Sequence, residues 1–142
     1  MNQMQNDPFI RLVGVRKEFA TRGEQFLAVS DVTFDVAEGE LVALVGPSGC
    51  GKTTVLNILA GLDQPSEGTV IVDGQGIEGT SLDRAVIFQS HALLPWRTVL
   101  GNVGYAVSSK WRKWDRARVT AHAQRFIDLV GLTGPGHEQP SG

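Results

Sequence analysis

The sequence predicts an α/β protein, and three consecutive stretches support this prediction. Residues 32–36 alternate apolar and polar side chains, which is typical of a half-buried strand in an antiparallel sheet. Residues 41–45 are continuously apolar, which is typical of a parallel strand covered on both faces. A glycine-rich loop at residues 46–51 then precedes a helical pattern over residues 52–60. We therefore expect an antiparallel β subdomain, a partial parallel core sheet with one helix, and further helices beyond them.

Short local patterns predict the other elements of the first half. Residues 10–15 have β-rich composition, and residues 37–40 predict a turn. Gly61 is expected to end the helix that follows the glycine-rich loop, in which leucines recur at helical spacing (Leu56, Leu59, Leu62). Residues 69–72 predict a short strand, and the dipeptide Asp73-Gly74 predicts the tight turn that ends it.

The second half changes from strand to helix. Residues 85–88 are apolar and predict one more strand, whereas helical character begins at Val99. Residues 115–130 predict an amphipathic helix that Gly131 ends, with five apolar side chains on one face (Val119, Ala123, Phe126, Ile127, Val130). Residues 133–142 are rich in Gly and Pro and show no periodicity.

Composition excludes several classes of protein. The 142 residues carry a net charge of −2, with 42% hydrophobic and 20% charged residues, which suits a globular chain and argues against a disordered or fibrous one. Because there is no basic excess, nucleic acid is not expected as the main partner. The single cysteine, Cys50, excludes an internal disulfide and a Cys-rich zinc site. No apolar run approaches the roughly 18–20 residues of a membrane span, so we expect any membrane role to be peripheral.

Residues 46–53 match the pattern G-x-x-x-x-G-K-[ST] and are called the phosphate loop below. Glycines let successive backbone N–H groups point into one concavity, and the helix that follows adds the positive end of its dipole. Lys52 supplies a mobile positive charge for terminal phosphates, and Thr53 supplies a hydroxyl for Mg²⁺. A chance glycine turn is the alternative, but the strand, loop and helix context favours a phosphate site. The glycine order G-x-x-G-x-G excludes a dinucleotide fingerprint.

Cys50 lies inside the phosphate loop and has two interpretations. A thiol near a helix N-terminus can be redox-sensitive. Alternatively, Cys50 is simply a small residue whose backbone amide matters and whose side chain does not. We favour the second interpretation.

At this point the sequence resembles the ATP-binding subunits of ABC transporters. The residues that carry the resemblance are 45–54 in the phosphate loop, N-I-L-A-G-L at 57–62, P-S-E-G at 65–68, V-I-F-Q at 86–89 and L-L-P-W-R-T-V-L at 93–100. The resemblance implies a disordered terminus at 1–8, an ATP-binding core with its β subdomain at 9–89, and a partial helical subdomain at 90–142. ATP and Mg²⁺ are the implied cofactors.

The resemblance also implies roles for individual residues. Gln89 matches the glutamine that reaches Mg²⁺ and the attacking water, which makes it catalytic together with Lys52; otherwise it is a polar residue at a strand end. Phe19 falls where the family places an aromatic ring that stacks on adenine, with Phe26 as the alternative. The remaining implied contacts to the nucleotide come from the loop (Gly46, Pro47, Ser48, Gly49, Cys50, Gly51, Lys52, Thr53, Thr54).

Within the family, the L-L-P-W segment is similar to importers of nitrate, sulfonate and taurine, with the nitrate type slightly favoured. The implied partners are a membrane permease subunit, a second ATP-binding subunit and, indirectly, a solute-binding protein, on the cytoplasmic face of the membrane. Trp96 either docks on the permease or is structural, whereas Trp111 and Trp114 are expected to be half-buried in a helix connection. A single-stranded nucleic-acid site is the least favoured interpretation. The three histidines show no metal-ligand spacing.

Several family motifs have no match in these 142 residues. There is no L-S-G-G-Q-like motif, no later apolar strand ending in Asp-Glu, and no switch histidine. We therefore expect a fragment that ends before or within that motif, binds ATP weakly and hydrolyses it slowly. The alternatives are another phosphate-loop enzyme, such as a small-molecule kinase, or a non-catalytic nucleotide-binding module.

Overall fold

The computed structural model describes residues 7–21, 23–89 and 92–132, and the chain divides into two compact units, residues 1–86 and residues 87–142. The first unit contains β1 (Ile10–Thr21), β2 (Glu24–Val36), α1 (Lys52–Ala60), β3 (Glu67–Val72) and β4 (Gln75–Gly76). The second contains α2 (Val99–Lys110) and α3 (Arg116–Leu129). The expectations for residues 1–6 and 133–142 lie outside the described residues, and the predicted domain boundaries stay predictions.

The strands of the first unit form one four-stranded sheet in the order β2-β1-β3-β4. Each neighbouring pair is antiparallel, with Ile10 opposite Val36 in β2 and opposite Val72 in β3. The predicted alternation over residues 32–36 is confirmed, because Val36 is buried while Thr33 and Asp35 are exposed. The antiparallel β subdomain is therefore confirmed, and its first two strands are longer than the local patterns predict.

Helix α1 packs on this sheet and closes the core of the first unit. The buried cluster comprises Leu12, Val15, Val29, Val55, Ile58 and Val70. Burial of such side chains supplies roughly 1.5–3 kcal/mol each and is the main force that holds helix and sheet together. Ile58 is 1% exposed, whereas Leu56 and Leu62 of the predicted leucine stripe remain 52% and 49% exposed. The buried face of α1 is thus rotated away from two of the three leucines.

Two predicted stop signals form as expected. Gly61 has a φ of 73°, its N–H donates to Ile58 O (3.0 Å), and the Leu62 N–H donates to Asn57 O (2.9 Å). This pair of hydrogen bonds is the Schellman motif, which satisfies the last carbonyls of a helix. Asp73 and Gly74 have φ values of 49° and 70° and connect the paired residues Val72 and Gln75. Two positive φ angles in a two-residue hairpin are typical of a type I′ turn.

The strands predicted at residues 41–45 and 85–88 are wrong. Neither stretch is in a strand, and both are exposed, with Leu41 at 97% and Ile87 at 99%. A β-strand needs hydrogen-bonding neighbours as well as apolar composition, and the described residues contain no parallel pair of strands. The predicted partial parallel core sheet is therefore not formed in the part of the chain that the structure describes.

The second unit is a pair of capped helices. Thr98 and Asp115 are the N-caps of α2 and α3, and their side chains accept hydrogen bonds from Gly101 N and Arg118 N. Helix α3 buries Ala123 and Ile127, and it ends before Gly131, whose φ is 76°. The predicted amphipathic helix is confirmed, although Phe126 and Val130 of its predicted apolar face are 48% and 71% exposed. Neither this unit nor the other has, among described residues, a helix of the length and apolarity that spanning a membrane requires.

We predict that Gly61→Ala destabilises the first unit far more than Gly74→Ala does. Both glycines have nearly the same positive φ, 73° and 70°, so both variants carry the left-handed backbone cost of about 1–2 kcal/mol. Only at residue 61 would the new Cβ meet backbone, 2.0 Å from Gly79 O, whereas nothing lies within 4 Å of a Cβ at residue 74. Urea denaturation of the two variants measures the difference, and equal midpoints would contradict the steric argument.

Candidate functional site

The phosphate loop lies on the surface of the first unit, immediately before α1. Its residues from 46 to 50 are exposed. Gly49 and Gly51 have φ values of 81° and 92°, and the loop contains a weak turn in which Cys50 N–H donates to Pro47 O (3.4 Å). Left-handed residues that alternate with ordinary ones direct successive N–H groups into one concavity, which is a nest for anions. No side chain caps the N-terminus of α1, so its first N–H groups face the same loop.

The position of the loop is set by close packing of Gly51 against β2. A Cβ at Gly51 would lie 2.6 Å from Ala28 O and 3.1 Å from Val29 Cγ2. A Cβ at Gly46, at the other end of the loop, would lie 2.8 Å from Cys50 Sγ. At residue 51 glycine is required both for space, because the near atom is backbone, and for its positive φ, whereas at residue 46 the Cys50 side chain can rotate away.

Lys52 brings its positive charge into the loop. Its Nζ donates to Gly46 O (2.8 Å) and Pro47 O (2.6 Å) and lies 3.4 Å from Cys50 Sγ. The first turn of α1 contains no acidic residue, so the ammonium group and the helix N-terminus act in the same direction on an anion. Thr53 is exposed and Thr54 is half-buried at the start of α1. The arrangement fits phosphate oxygens, with backbone donors, one cation and a hydroxyl close together.

Cys50 is exposed, and its thiol sulfur is within reach of the Lys52 ammonium. This position is compatible both with a redox-sensitive thiol and with a small residue whose backbone amide alone matters. In the described part of the chain, no group of three or more His, Cys, Asp or Glu side chains is arranged to hold a metal ion.

A β-bulge in β2 places Phe26 beside Phe19, so that both candidate adenine-stacking residues lie on the α1 side of the sheet. Lys17 pairs with Val29 but Glu18 pairs with Leu27, so Ala28 is an extra residue in β2. Directly paired residues share a face, and therefore Val29 and the pair Phe19 and Phe26 project to the same side. Val29 contacts the start of α1, as described above.

Both aromatic rings on this face are accessible. Phe19 is 38% exposed and Phe26 is 60% exposed. Lys17 Nζ lies 4.9 Å from the centroid of the Phe19 ring and also donates to Asp63 Oδ1 (2.6 Å), just after α1. The cation therefore occupies part of the Phe19 ring surface. The family resemblance favours Phe19 as the adenine-stacking residue, whereas in the structure the Phe26 ring is the more accessible of the two.

Gln89 lies in the second unit, whereas the loop, Lys52 and Thr53 lie in the first. It is exposed and is outside any helix or strand. The structure thus brings the phosphate-loop residues together in one unit, and the role of Gln89 stays a prediction.

Asn102 is a residue that the sequence reasoning missed. Its Oδ1 accepts from Leu94 N (2.8 Å), and its Nδ2 donates to Leu94 O, Arg97 O and Thr98 O at 3.1–3.2 Å. One amide group thereby fixes both ends of residues 94–98, in which Trp96 is 70% exposed. The available clue is an Asn in the first turn and a half of α2, because Asn is a poor helix former unless its side chain bonds nearby backbone.

The other two tryptophans pack against each other. The rings of Trp111 and Trp114 are stacked at 4.7 Å with an interplanar angle of 12°, and the His122 ring meets both edge-on. Both tryptophans are half-buried, as expected for a helix connection. Trp96 is the exposed tryptophan and keeps its docking interpretation.

Sequence comparison relates this chain to ATP-binding proteins of ABC transporters. The family model described as ABC transporter matches residues 29–140. The chain is 46% identical over 106 residues to the nitrate transport protein NasD of Klebsiella oxytoca, covering 75% of this chain and 40% of that protein. It is 36% identical to the nitrate import ATP-binding protein NrtD of Synechococcus elongatus, covering 95% and 49%, and 43% identical to the taurine import ATP-binding protein TauB of Pseudomonas aeruginosa, covering 80% and 43%. The chain thus spans less than half the length of these relatives.

A solved structure with the same fold is the dimeric ATP-binding cassette MJ0796 in a post-hydrolysis state bound to ADP and Pi. It superposes with a TM-score of 0.78 at 29% sequence identity, covering 92% of this chain and 61% of that chain. The predicted fold class is therefore confirmed at the level of the cassette fold.

We predict that Asn102→Ala loosens residues 94–98 without unfolding the second unit. The substitution removes four hydrogen bonds to backbone, and protection of the Leu94 amide from hydrogen exchange should fall at least tenfold. Ser109→Ala is the matched control, because it removes one hydrogen bond from the same helix, Ser109 Oγ to Tyr105 O (2.9 Å), away from this loop. Unchanged exchange at Leu94, or equal loss of protection at Ala123 in α3, would contradict a local role for Asn102.

Proposed function

The chain belongs to the ABC transporter family, and from this membership we propose that it is the ATP-binding component of an importer for a small anion. The observation that carries the ATP-binding proposal is the phosphate loop itself. Two left-handed glycines, the uncapped N-terminus of α1 and the Lys52 ammonium lie together on an exposed surface. A triphosphate is the nucleotide group that this combination of donors and charge fits.

In this proposal the loop binds by positioning charge rather than by covalent chemistry. Backbone N–H groups of the loop and of the first turn of α1 donate to phosphate oxygens. Lys52 is already oriented by Gly46 O and Pro47 O, so it loses little side-chain freedom when it contacts the terminal phosphates. The neighbouring exposed hydroxyl of Thr53 is the ligand that the loop offers to Mg²⁺. When bound, Mg²⁺ neutralises part of the phosphate charge.

Gln89 is proposed to bind Mg²⁺ and the attacking water, as the family resemblance implies. Its amide oxygen can ligate a hard cation or accept a hydrogen bond from water, and its side chain is exposed. It lies outside regular secondary structure, a few residues before the loop around Trp96 that is proposed to contact the permease.

The adenine is proposed to stack on the aromatic pair Phe19 and Phe26. Both rings lie on the sheet face to which α1 is packed, and both are accessible. Base stacking on an aromatic side chain contributes roughly 1–3 kcal/mol and needs no hydrogen-bond readout.

The transported solute is proposed from the relatives alone, among which nitrate and taurine import proteins stand at 36–46% identity. We propose nitrate or a sulfonate such as taurine, with the nitrate type favoured. The proposed partners are a permease subunit, which the ordered loop around Trp96 contacts, a second ATP-binding subunit and, indirectly, a solute-binding protein. This assembly would hold the chain on the cytoplasmic face of the membrane. A small-molecule kinase finds no support, because the family match is to ABC transporters.

Lys52→Ala tests the phosphate-loop assignment. Loss of one charge-assisted contact should weaken Mg·ATP binding roughly 10- to 100-fold, measured by titration calorimetry on the 142-residue chain. Lys113→Ala is the matched control, since it removes the same charge from an exposed position in the other unit. Unchanged affinity in Lys52→Ala, or equal weakening in both variants, would refute the assignment.

Phe19→Ala and Phe26→Ala test the adenine platform separately from the phosphate site. Removal of the stacking ring should weaken ATP binding roughly 5- to 100-fold while leaving binding of inorganic tripolyphosphate unchanged. The variant with the larger effect identifies the platform, and the greater exposure of Phe26 favours that residue. If neither variant changes the ratio of ATP to tripolyphosphate affinity, adenine does not bind on this pair.

A further inference from the structure

Charge is distributed unequally between the two units. Residues 1–86 contain six Lys and Arg against twelve Asp and Glu, whereas residues 87–142 contain seven against three. The net charge of −2 is therefore the sum of an acidic first unit and a basic second unit. Such asymmetry is a physical argument about partners rather than about fold.

Most of the positive charge of the second unit lies in one short segment, residues 110–118, which we call the basic turn. It spans the end of α2, the connection and the first turn of α3. Trp114 N–H donates to Trp111 O (3.0 Å) and closes the turn. Five cations occupy this segment, and all are exposed (Lys110, Arg112, Lys113, Arg116, Arg118). Its one carboxylate, Asp115, accepts from Arg118 N (2.8 Å) as the N-cap of α3.

None of these cations has a carboxylate partner in the described part of the chain. The ion pairs found among the described residues all involve Arg11, Arg16 or Lys17, so no cation of the basic turn is paired with a carboxylate there. Arg116 and Arg118 lie in the first turn of α3, where the helix dipole disfavours positive charge. Arg112, Lys113 and Arg116 have neither a carboxylate nor an aromatic partner among the described residues, so their charge is available to an external anion.

The stacked tryptophans order part of this charge. Arg118 Cζ lies 4.1 Å from the Trp114 ring centroid, and Lys110 Nζ lies 5.4 Å from that of Trp111. Each cation is thus held over an aromatic ring. The remaining cations, Arg112, Lys113 and Arg116, are left on an exposed surface that a rigid, half-buried aromatic base supports.

We infer that the basic turn binds the anionic headgroups of a lipid bilayer directly. Clusters of four to eight basic residues bind anionic membranes, and each contributes roughly a fivefold gain in partitioning. The exposed cations of the basic turn and the anionic lipid headgroups are complementary in charge. Nucleic acid is disfavoured because the chain as a whole has no basic excess, with a net charge of −2. The inference rests on the proposed function only in that a transporter subunit works beside a membrane.

The test is co-sedimentation of the 142-residue chain with protein-free lipid vesicles at low salt. Vesicles with about 30% phosphatidylglycerol should bind the chain at least tenfold more tightly than pure phosphatidylcholine vesicles, and binding should fall steeply as salt rises. Arg112→Gln and Lys113→Gln should each weaken binding roughly fivefold and the double variant more than tenfold. Arg125→Gln removes one exposed charge from α3 outside the basic turn and is the matched control.

Three outcomes would overturn the inference: equal binding to both kinds of vesicle, equal weakening by Arg125→Gln, or tighter binding to a single-stranded oligonucleotide than to anionic vesicles. Mg·ATP binding is measured on the same variants, and it should not change in any of them. Loss of vesicle binding with intact ATP binding refutes only the lipid surface, whereas an absence of ATP binding in the unmodified chain refutes only the proposed function.

Discussion

The N-terminus of α1 packs directly on strand β2, and the phosphate loop takes its position from that contact. Gly51 approaches Ala28 so closely that a methyl group would fall 2.6 Å from the Ala28 carbonyl oxygen. The same glycine has a φ of 92° and is the N-cap of the helix. Gly51 therefore has three roles: it sets the conformation at the end of the loop, it begins the helix, and it allows the helix to pack closely on the sheet. The buried cluster around Val29, Val55 and Ile58 supplies the apolar contact that holds this arrangement together.

The bulge at Ala28 connects this packing to the rest of the candidate site. An extra residue in β2 reverses the alternation of side chains, so Phe26 and the buried Val29 project to the same face. In a regular strand, residues three apart project to opposite faces. Without the bulge, Phe26 would lie on the opposite side of the sheet from Val29, and Phe19 would lose its aromatic partner. The pairing of the two candidate adenine-stacking rings thus depends on one irregularity of the sheet.

The second unit orders its surface loops by side-chain contacts rather than by a large core. Asn102 fixes residues 94–98 through four hydrogen bonds to backbone, and the stacked pair Trp111 and Trp114 supports the basic turn. Both sets of contacts hold the backbone in place while leaving polar or aromatic side chains exposed. A preordered surface loses less entropy on binding, which suits a unit proposed to contact a permease and a membrane.

The sequence alone determined the features that depend on neighbouring residues. The phosphate loop, α1, the stops at Gly61 and Gly131 and the Asp73-Gly74 turn follow from local backbone preferences, and all three of these turn or stop sites have the expected positive φ. Only the tertiary structure decided which residues meet across the chain. The apolar composition of residues 41–45 indicates that they prefer to be buried, but strand formation requires hydrogen-bonding partners that local composition does not specify. Two further features depend on packing between separate strands and helices, namely the bulge at Ala28 and the close contact that requires glycine at residue 51. The hydrogen bond between Asn102 and Leu94 depends on how the chain folds back over eight residues, which a local pattern does not specify.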